Sequence, residues 1–103
     1  MSIFKDVEII KAANIYFDGM VTSRVVNFID GSTKTLGIMM PGSFEFSTEQ
    51  HELMEIMAGE LDVLLPGHNA WQTIKAGDSF KVPAQSVFKL EVKTVVDYCC
   101  SYS

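Results

Sequence analysis

The chain is expected to be all-β, with about ten short strands closed into one small barrel or sandwich. Three observations carry this. Apolar runs a few residues long recur along the chain, rich in Val, Ile, Leu and Phe, and are bounded by Gly, Pro, Asp-Gly or Ser. No segment of ordinary helix length shows a clear period of 3.6. At 103 residues, with 48% hydrophobic and 20% charged side chains, the chain has the size and composition of one packed domain.

The elements follow in order. Residues 1–13 carry apolar side chains at 3, 4, 7, 9, 10, 12 and 13, a pattern that fits a helical turn or an added strand equally. Asn14–Asp18 reads as a strand ending at Gly19. The β-branched run Val21–Asp30 meets a turn at Asp30-Gly31-Ser32, where Asp-Gly favours a hairpin. Lys34–Met40 returns and ends at Pro41-Gly42. Ser43–Ser47 alternates, placing Phe44 and Phe46 on one face. A polar loop leads to the central stretch Glu52–Pro83. Gly59 divides its first apolar run, and a glycine there suits a tight hairpin with positive φ. Pro66-Gly67 ends the second strand, since Pro supplies no ladder donor. Trp71–Lys75, Ser79–Val82, Ser86–Val92 and Val95–Ser101 complete the set. There are no internal repeats, low-complexity tracts or linkers.

Composition excludes several functions. With 13 acidic against 8 basic residues the net charge is −5, and the lysines are scattered. That disfavours a nucleic-acid partner, which requires a basic face. No apolar run is long enough to span a bilayer, and Met1-Ser2-Ile3-Phe4-Lys5-Asp6 lacks the layout of a signal peptide, so no membrane association and a cytoplasmic location are expected. Cys99 and Cys100 are adjacent and on a strand point to opposite faces; a bridge between neighbours is strained, so two plain thiols of a reducing compartment are expected. There is no Walker-type loop, dinucleotide fingerprint or Ser-His-Asp order.

The punctuation of the central stretch resembles that of cupins. Glu52, six residues and Gly59 fit the end of the first cupin motif; Gly77, five residues and Pro83 fit the start of the second. Metal-binding cupins carry two His shortly before that Glu and a third after that Pro. Here Phe46, Thr48 and Phe88 stand at those places, and His51 and His68 fall in apparent loops at other positions. A transition metal requires several converging imidazole or carboxylate ligands. The expectation is a cupin without a metal or other cofactor.

A narrower resemblance runs from Asn14 to Tyr102. Asn14-Ile15-Tyr16-Phe17-Asp18-Gly19, Phe44 to Thr48, Met54 to Pro66, Trp71-Gln72, Ala76-Gly77 to Val82-Pro83 and Tyr98-Cys99 to Tyr102 resemble the small metal-free cupins of the pyrimidine/purine nucleoside phosphorylase family. Ala84 departs from it, standing where glycine is familiar. The resemblance leaves residues 1–13 as an N-terminal extension before a cupin domain at 14–103. It implies phosphorolysis, in which a purine or pyrimidine nucleoside and phosphate give free base and pentose 1-phosphate. The alternative is a non-catalytic cupin that binds a small molecule as a sensor or a dimeric scaffold, because fold does not settle function. A homodimer is expected, since a small barrel must cover its edges.

Within that register Glu52 points into the barrel with Met54 and Ile56, suited to protonating a leaving base or stabilising a cationic sugar. The plain alternative is a relic carboxylate tied to Ser47, Thr48 or a backbone N–H. Glu55 has opposite parity and belongs to the solvated face. Phe46 and Phe88 should line the pocket, and with Trp71 they offer faces for a base to stack on. Ser47, Thr48, Gln72 and Tyr98 offer polar contacts to substrate, though each serves equally as a turn or packing residue. Arg24 and Lys34 are the phosphate candidates, Arg24 for its bidentate fork; a solvated face is the alternative for both.

Overall fold

The computed structural model describes residues 2–103. Strands β1 (Glu8–Ile9) and β2 (Asn14–Tyr16) precede a single 3₁₀ turn at Phe17–Gly19. Then come β3 (Val21–Asn27), β4 (Thr33–Met39), β5 (Gly42–Ser47), β6 (Glu52–Ala58) and β7 (Glu60–Leu64). The chain ends with β8 (Gln72–Lys75), β9 (Ser79–Val82), β10 (Val87–Val92) and β11 (Val96–Tyr102). A seven-stranded sheet runs β1-β3-β4-β11-β6-β9, with β2 also on β3, and faces a four-stranded sheet of order β5-β10-β7-β8. Every pairing is antiparallel. Among the described residues no helix is long and apolar enough to cross a membrane.

Alternation builds the core. On β10, Phe88, Leu90 and Val92 are buried while Val87, Lys89 and Glu91 are exposed. Facing them from the larger sheet are Met54, Ile56, Val82, Val96, Tyr98 and Cys100. Burying such side chains contributes roughly 1.5–3 kcal/mol each, which makes the inter-sheet layer the main source of stability. Cys99 and Cys100 are both buried free thiols, and only Cys100 belongs to the inter-sheet core cluster. The Asp30-Gly31 turn does close a hairpin: the Phe28 N–H donates to the Ser32 carbonyl at 3.0 Å, and the Ser32 N–H to Asp30 Oδ1 at 2.9 Å.

Gly59 has the positive φ expected of it, +91°, but it does not close a hairpin. β6 pairs with β11 and β9, whereas β7 pairs with β10 and β8, so Gly59 is a corner at which the chain passes from one sheet to the other. Glycine is required there for a second reason: a Cβ would overlap the Val95 carbonyl. The Ala76 N–H donates to the Gly59 carbonyl at 3.1 Å and the Gly77 N–H to the Ile56 carbonyl at 2.8 Å. The turn at Lys75–Asp78 makes the reverse crossing, from β8 to β9. The apolar run is continuous because both halves face one core from opposite sides.

The N-terminal segment is a strand addition rather than a helical turn; Met1 lies outside the described residues. Glu8 and Ile9 pair with Asn27 and Val26, and Phe4 packs edge-on against Phe28 at 5.1 Å. Strands β1 and β2 share one side of β3, and that border leaves Ile3, Phe4, Ile9, Ile10, Ile15, Tyr16 and Phe17 exposed. Asp18 is not strand: Phe17 and Asp18 both take left-handed φ, 51° and 55°, and turn the chain.

Candidate functional site

One cavity of about 190 Å³ opens between the sheets. Its apolar wall is Met39, Phe46, Met54, Phe88 and Leu90. Phe46 and Phe88 are register partners on β5 and β10, and their rings stack at 5.7 Å with 26° between planes. Phe17 closes on Phe46 edge-on at 5.5 Å. The polar lining is Glu52, Ser47, Ser23, Cys100 and the hydroxyls of Tyr16, Tyr98 and Tyr102. Among the described residues that line it there is no lysine, arginine or histidine.

Glu52 sits at the start of β6, half-buried, on the face shared with buried Met54 and Ile56; Glu55 is exposed on the other face. Burial raises its pKa above the ordinary carboxylate value, partly offset by a hydrogen bond from Cys100 and the nearby His51. The Cys100 thiol donates to Glu52 Oε1 at 3.5 Å. Glu52 is therefore held by β11, not by Ser47, Thr48 or a backbone N–H. Burial and the adjacent carboxylate push the Cys100 thiol up to about 12, so it stays protonated. Tyr98 and Tyr102 are likewise raised by burial and stay neutral donors. The Tyr98 hydroxyl reaches the Thr22 carbonyl at 3.4 Å, passing over Gly37, where any Cβ would collide with it.

The structure gathers Glu52, Phe46, Ser47, Phe88 and Tyr98 around this cavity and leaves five other candidates elsewhere. Thr48 shares the inward parity of Phe46, but its Oγ1 donates to the Pro83 carbonyl at 2.7 Å and accepts the Ser86 N–H at 3.1 Å. That hydroxyl clamps the end of β5 to the β9–β10 connection. Trp71 lies in a shallow depression beside Ser43, Glu45, Lys89 and Glu91, away from Glu52, and Gln72 is exposed on β8. Crossing between sheets at Gly59 explains both displacements, because it sends β7 and β8 to the smaller sheet. Arg24 is exposed, with Nε donating to the Lys11 carbonyl at 3.2 Å. The Lys34 ammonium stands over the Phe4 and Phe28 rings at 5.5 and 5.7 Å.

Cys100, Tyr102, Tyr16 and Ser23 line the cavity without having been singled out in the sequence. The period of two along β11 places Tyr98, Cys100 and Tyr102 on one face, so Tyr98 alone implied the other two. Their approach to Glu52 depends on β11 pairing with β6, where Tyr102 stands opposite Glu52 and Cys100 opposite Met54. No local pattern encodes that pairing. Among the described residues no three His, Cys, Asp or Glu side chains group so as to hold a metal ion.

Comparison with known proteins agrees with this geometry. A solved structure of an RmlC-like cupin from Shewanella frigidimarina superposes with a TM-score of 0.71 at 18% identity, over 99% of this chain and 87% of that one, which makes the fold a single-domain cupin. A crystal structure of a protein of unknown function from Acinetobacter sp. ADP1 superposes with a TM-score of 0.94 at 40% identity, over 97% of each chain. A curated protein of Geotalea uraniireducens named pyrimidine/purine nucleoside phosphorylase is 62% identical over 102 residues, 99% of this chain and 98% of its own length. The family model described as pyrimidine/purine nucleoside phosphorylase matches residues 11–102. That match takes in every strand that lines the cavity, and by it the chain belongs to the pyrimidine/purine nucleoside phosphorylase family.

Proposed function

We propose that this protein is a nucleoside phosphorylase whose reaction takes place in the cavity between the sheets, with Glu52 as its acid. The observation that carries the reading is a half-buried carboxyl of raised pKa set among the rings of Phe46 and Phe88. The nucleobase stacks on those rings. Stacking tolerates purine and pyrimidine alike, because every base has a π-face. As the bond from C1′ to the base nitrogen breaks, Glu52 gives its proton to that nitrogen. A phosphate oxygen bonds to C1′ and the proton of hydrogen phosphate returns to the carboxylate, so the balance closes as free base and pentose 1-phosphate. Positive charge on the sugar ring is stabilised by the carboxylate in a poorly solvated setting. Ser47 and Ser23 supply donors to the sugar and to phosphate, and the Tyr98 hydroxyl oxygen accepts from a sugar hydroxyl.

Phosphate calls for a cation that the cavity's own lining lacks. Arg24 and Lys34 fill that role from across a protomer contact in a homodimer. The exposed apolar border of β1, β2 and β3 is the contact surface. In this reading residues 1–13 are an extension that serves the contact, and Thr48, Trp71 and Gln72 keep only indirect roles in binding. The protein is expected in the cytoplasm.

Phosphorus NMR of the protein incubated with uridine and phosphate tests this directly. A growing pentose 1-phosphate signal is expected, together with a raised phosphate KM in Arg24→Ala and a dimer by light scattering at micromolar concentration. Tight nucleoside binding without turnover would instead favour the non-catalytic alternative, and a monomer would remove Arg24 and Lys34 from the site.

A further inference from the structure

We propose that Cys100 is a positioning residue for Glu52: its thiol holds the carboxyl at the polar end of the cavity and sets how readily that carboxyl gives up its proton. The inference rests on the role given to Glu52 above. Its ground is geometric. Cys100 Sγ lies 3.5 Å from Glu52 Oε1 and is directed at it as a donor. The cysteine is 2% exposed. On the same face the Tyr102 hydroxyl lies 3.2 Å from Thr35 Oγ1, and Thr35 is itself 6% exposed and paired with Cys100 across the sheet. Thr35, Cys100 and Glu52 thus stand on three adjacent strands, β4, β11 and β6.

The choice of sulfur has a chemical consequence. A thiol is a weak donor. A carboxylate that accepts strong hydrogen bonds is stabilised as the anion and loses its value as an acid. A thiol orients Glu52 and lowers its pKa by less than burial raises it. The thiol in turn stays protonated across the working range, because burial and Glu52 push it up to about 12. The titratable groups that face Glu52 across the cavity are Cys100, Tyr102 and Tyr98 from β11, Tyr16 from β2 and His51 from its own strand's entry. Tyr98 and Tyr102 stay neutral over the same range, and Cys100 is the group hydrogen-bonded to the carboxyl.

The test is the titration of the Glu52 carboxyl, followed by carbon NMR in the intact protein. Cys100→Val keeps the apolar volume and removes the donor. The Glu52 midpoint is expected to move upward in that variant, with the corresponding limb of the pH–rate profile moving by the same amount. A residue that only packs would leave both where they are. A second measurement leaves Cys100 itself unchanged. In the wild type the S–H stretching band of Cys100, told apart from that of Cys99 by Cys99→Ala, should shift to lower frequency over the pH range in which Glu52 ionises. A midpoint unmoved in Cys100→Val, or an S–H band insensitive to Glu52 ionisation, overturns the proposal. Should Glu52→Gln leave turnover unchanged, the functional reading fails while the NMR and infrared results still decide the contact.

Discussion

Replacing Gly59 by alanine perturbs the corner on which both halves of the barrel depend. The magnitude follows from two separable effects. Gly59 has φ +91°, a left-handed conformation that costs an L-residue about 1–2 kcal/mol. The added Cβ would also overlap the Val95 carbonyl, which is backbone and cannot swing aside. Relieving such overpacking costs about 1–3 kcal/mol. The sum is about 2–5 kcal/mol, a large part of the ~5–15 kcal/mol that holds a domain of this size together. At roughly 4–8 °C per kcal/mol the midpoint should fall by about 8–40 °C. Gly31 is the control. Its φ is +87° but a Cβ there meets nothing within 4 Å, so Gly31→Ala should show the conformational part alone, about 1–2 kcal/mol. Chemical denaturation of the two variants, with the m-value checked for constancy, measures the difference. Equal destabilisation would refute the corner geometry at Gly59, since only the steric contact with Val95 distinguishes the two positions.

Three further outcomes are expected. Glu52→Gln should raise the melting temperature at pH 7 and lose that advantage at pH 4: burial raises the folded-state pKa, so the ionised carboxylate is a burden that appears as pH rises through that pKa and is absent below the unfolded value; melting curves with the same difference at both pH values would contradict this. Thr48→Val removes a buried hydroxyl that bridges Pro83 and Ser86, so urea titration should show a loss of about 1–3 kcal/mol while the nucleoside KM is unchanged; a raised KM with unchanged stability would return Thr48 to the binding site. Elemental analysis should find no stoichiometric transition metal, with turnover insensitive to chelators, given Phe46, Thr48 and Phe88 where cupin ligands stand; activity lost on chelation and restored by metal would reverse that.

The fold was legible because its signals are local. Alternation fixes which face each strand buries, and Phe44, Phe46, Phe88 and Glu52 went to the face that their parity required. The Asp30-Gly31 hairpin is likewise written in two residues. What the chain does not state locally is which strands pair. A positive-φ glycine between two apolar runs serves a hairpin and a sheet-to-sheet corner equally well, and at Gly59 the second holds because β7 joins β10 rather than β6. The candidate site divides along the same line. Of the residues placed by parity and by cupin register, Glu52, Phe46 and Phe88 reached the cavity, while the Thr48 hydroxyl is taken up by Pro83 and Ser86. Trp71 and Gln72, chosen for their chemistry, go with β8 to the edge of the smaller sheet, away from Glu52. Cys100 escaped notice because its value lies in the neighbour that β11 gives it, and as a residue type it reads as an ordinary buried thiol.

The proposed chemistry is tested most directly by base release. Uracil from uridine and hypoxanthine from inosine should be followed with and without phosphate, for the wild type, Glu52→Gln and Glu55→Gln. Wild type should release either base only when phosphate is present. Glu52→Gln should be slower by on the order of a hundred-fold or more with its fold intact, the usual effect of removing one electrostatic stabiliser of a transition state. Glu55→Gln, exposed on the opposite face of β6, should match wild type. Equal turnover in wild type and Glu52→Gln, or release that does not depend on phosphate, would contradict a phosphorolytic site centred on Glu52.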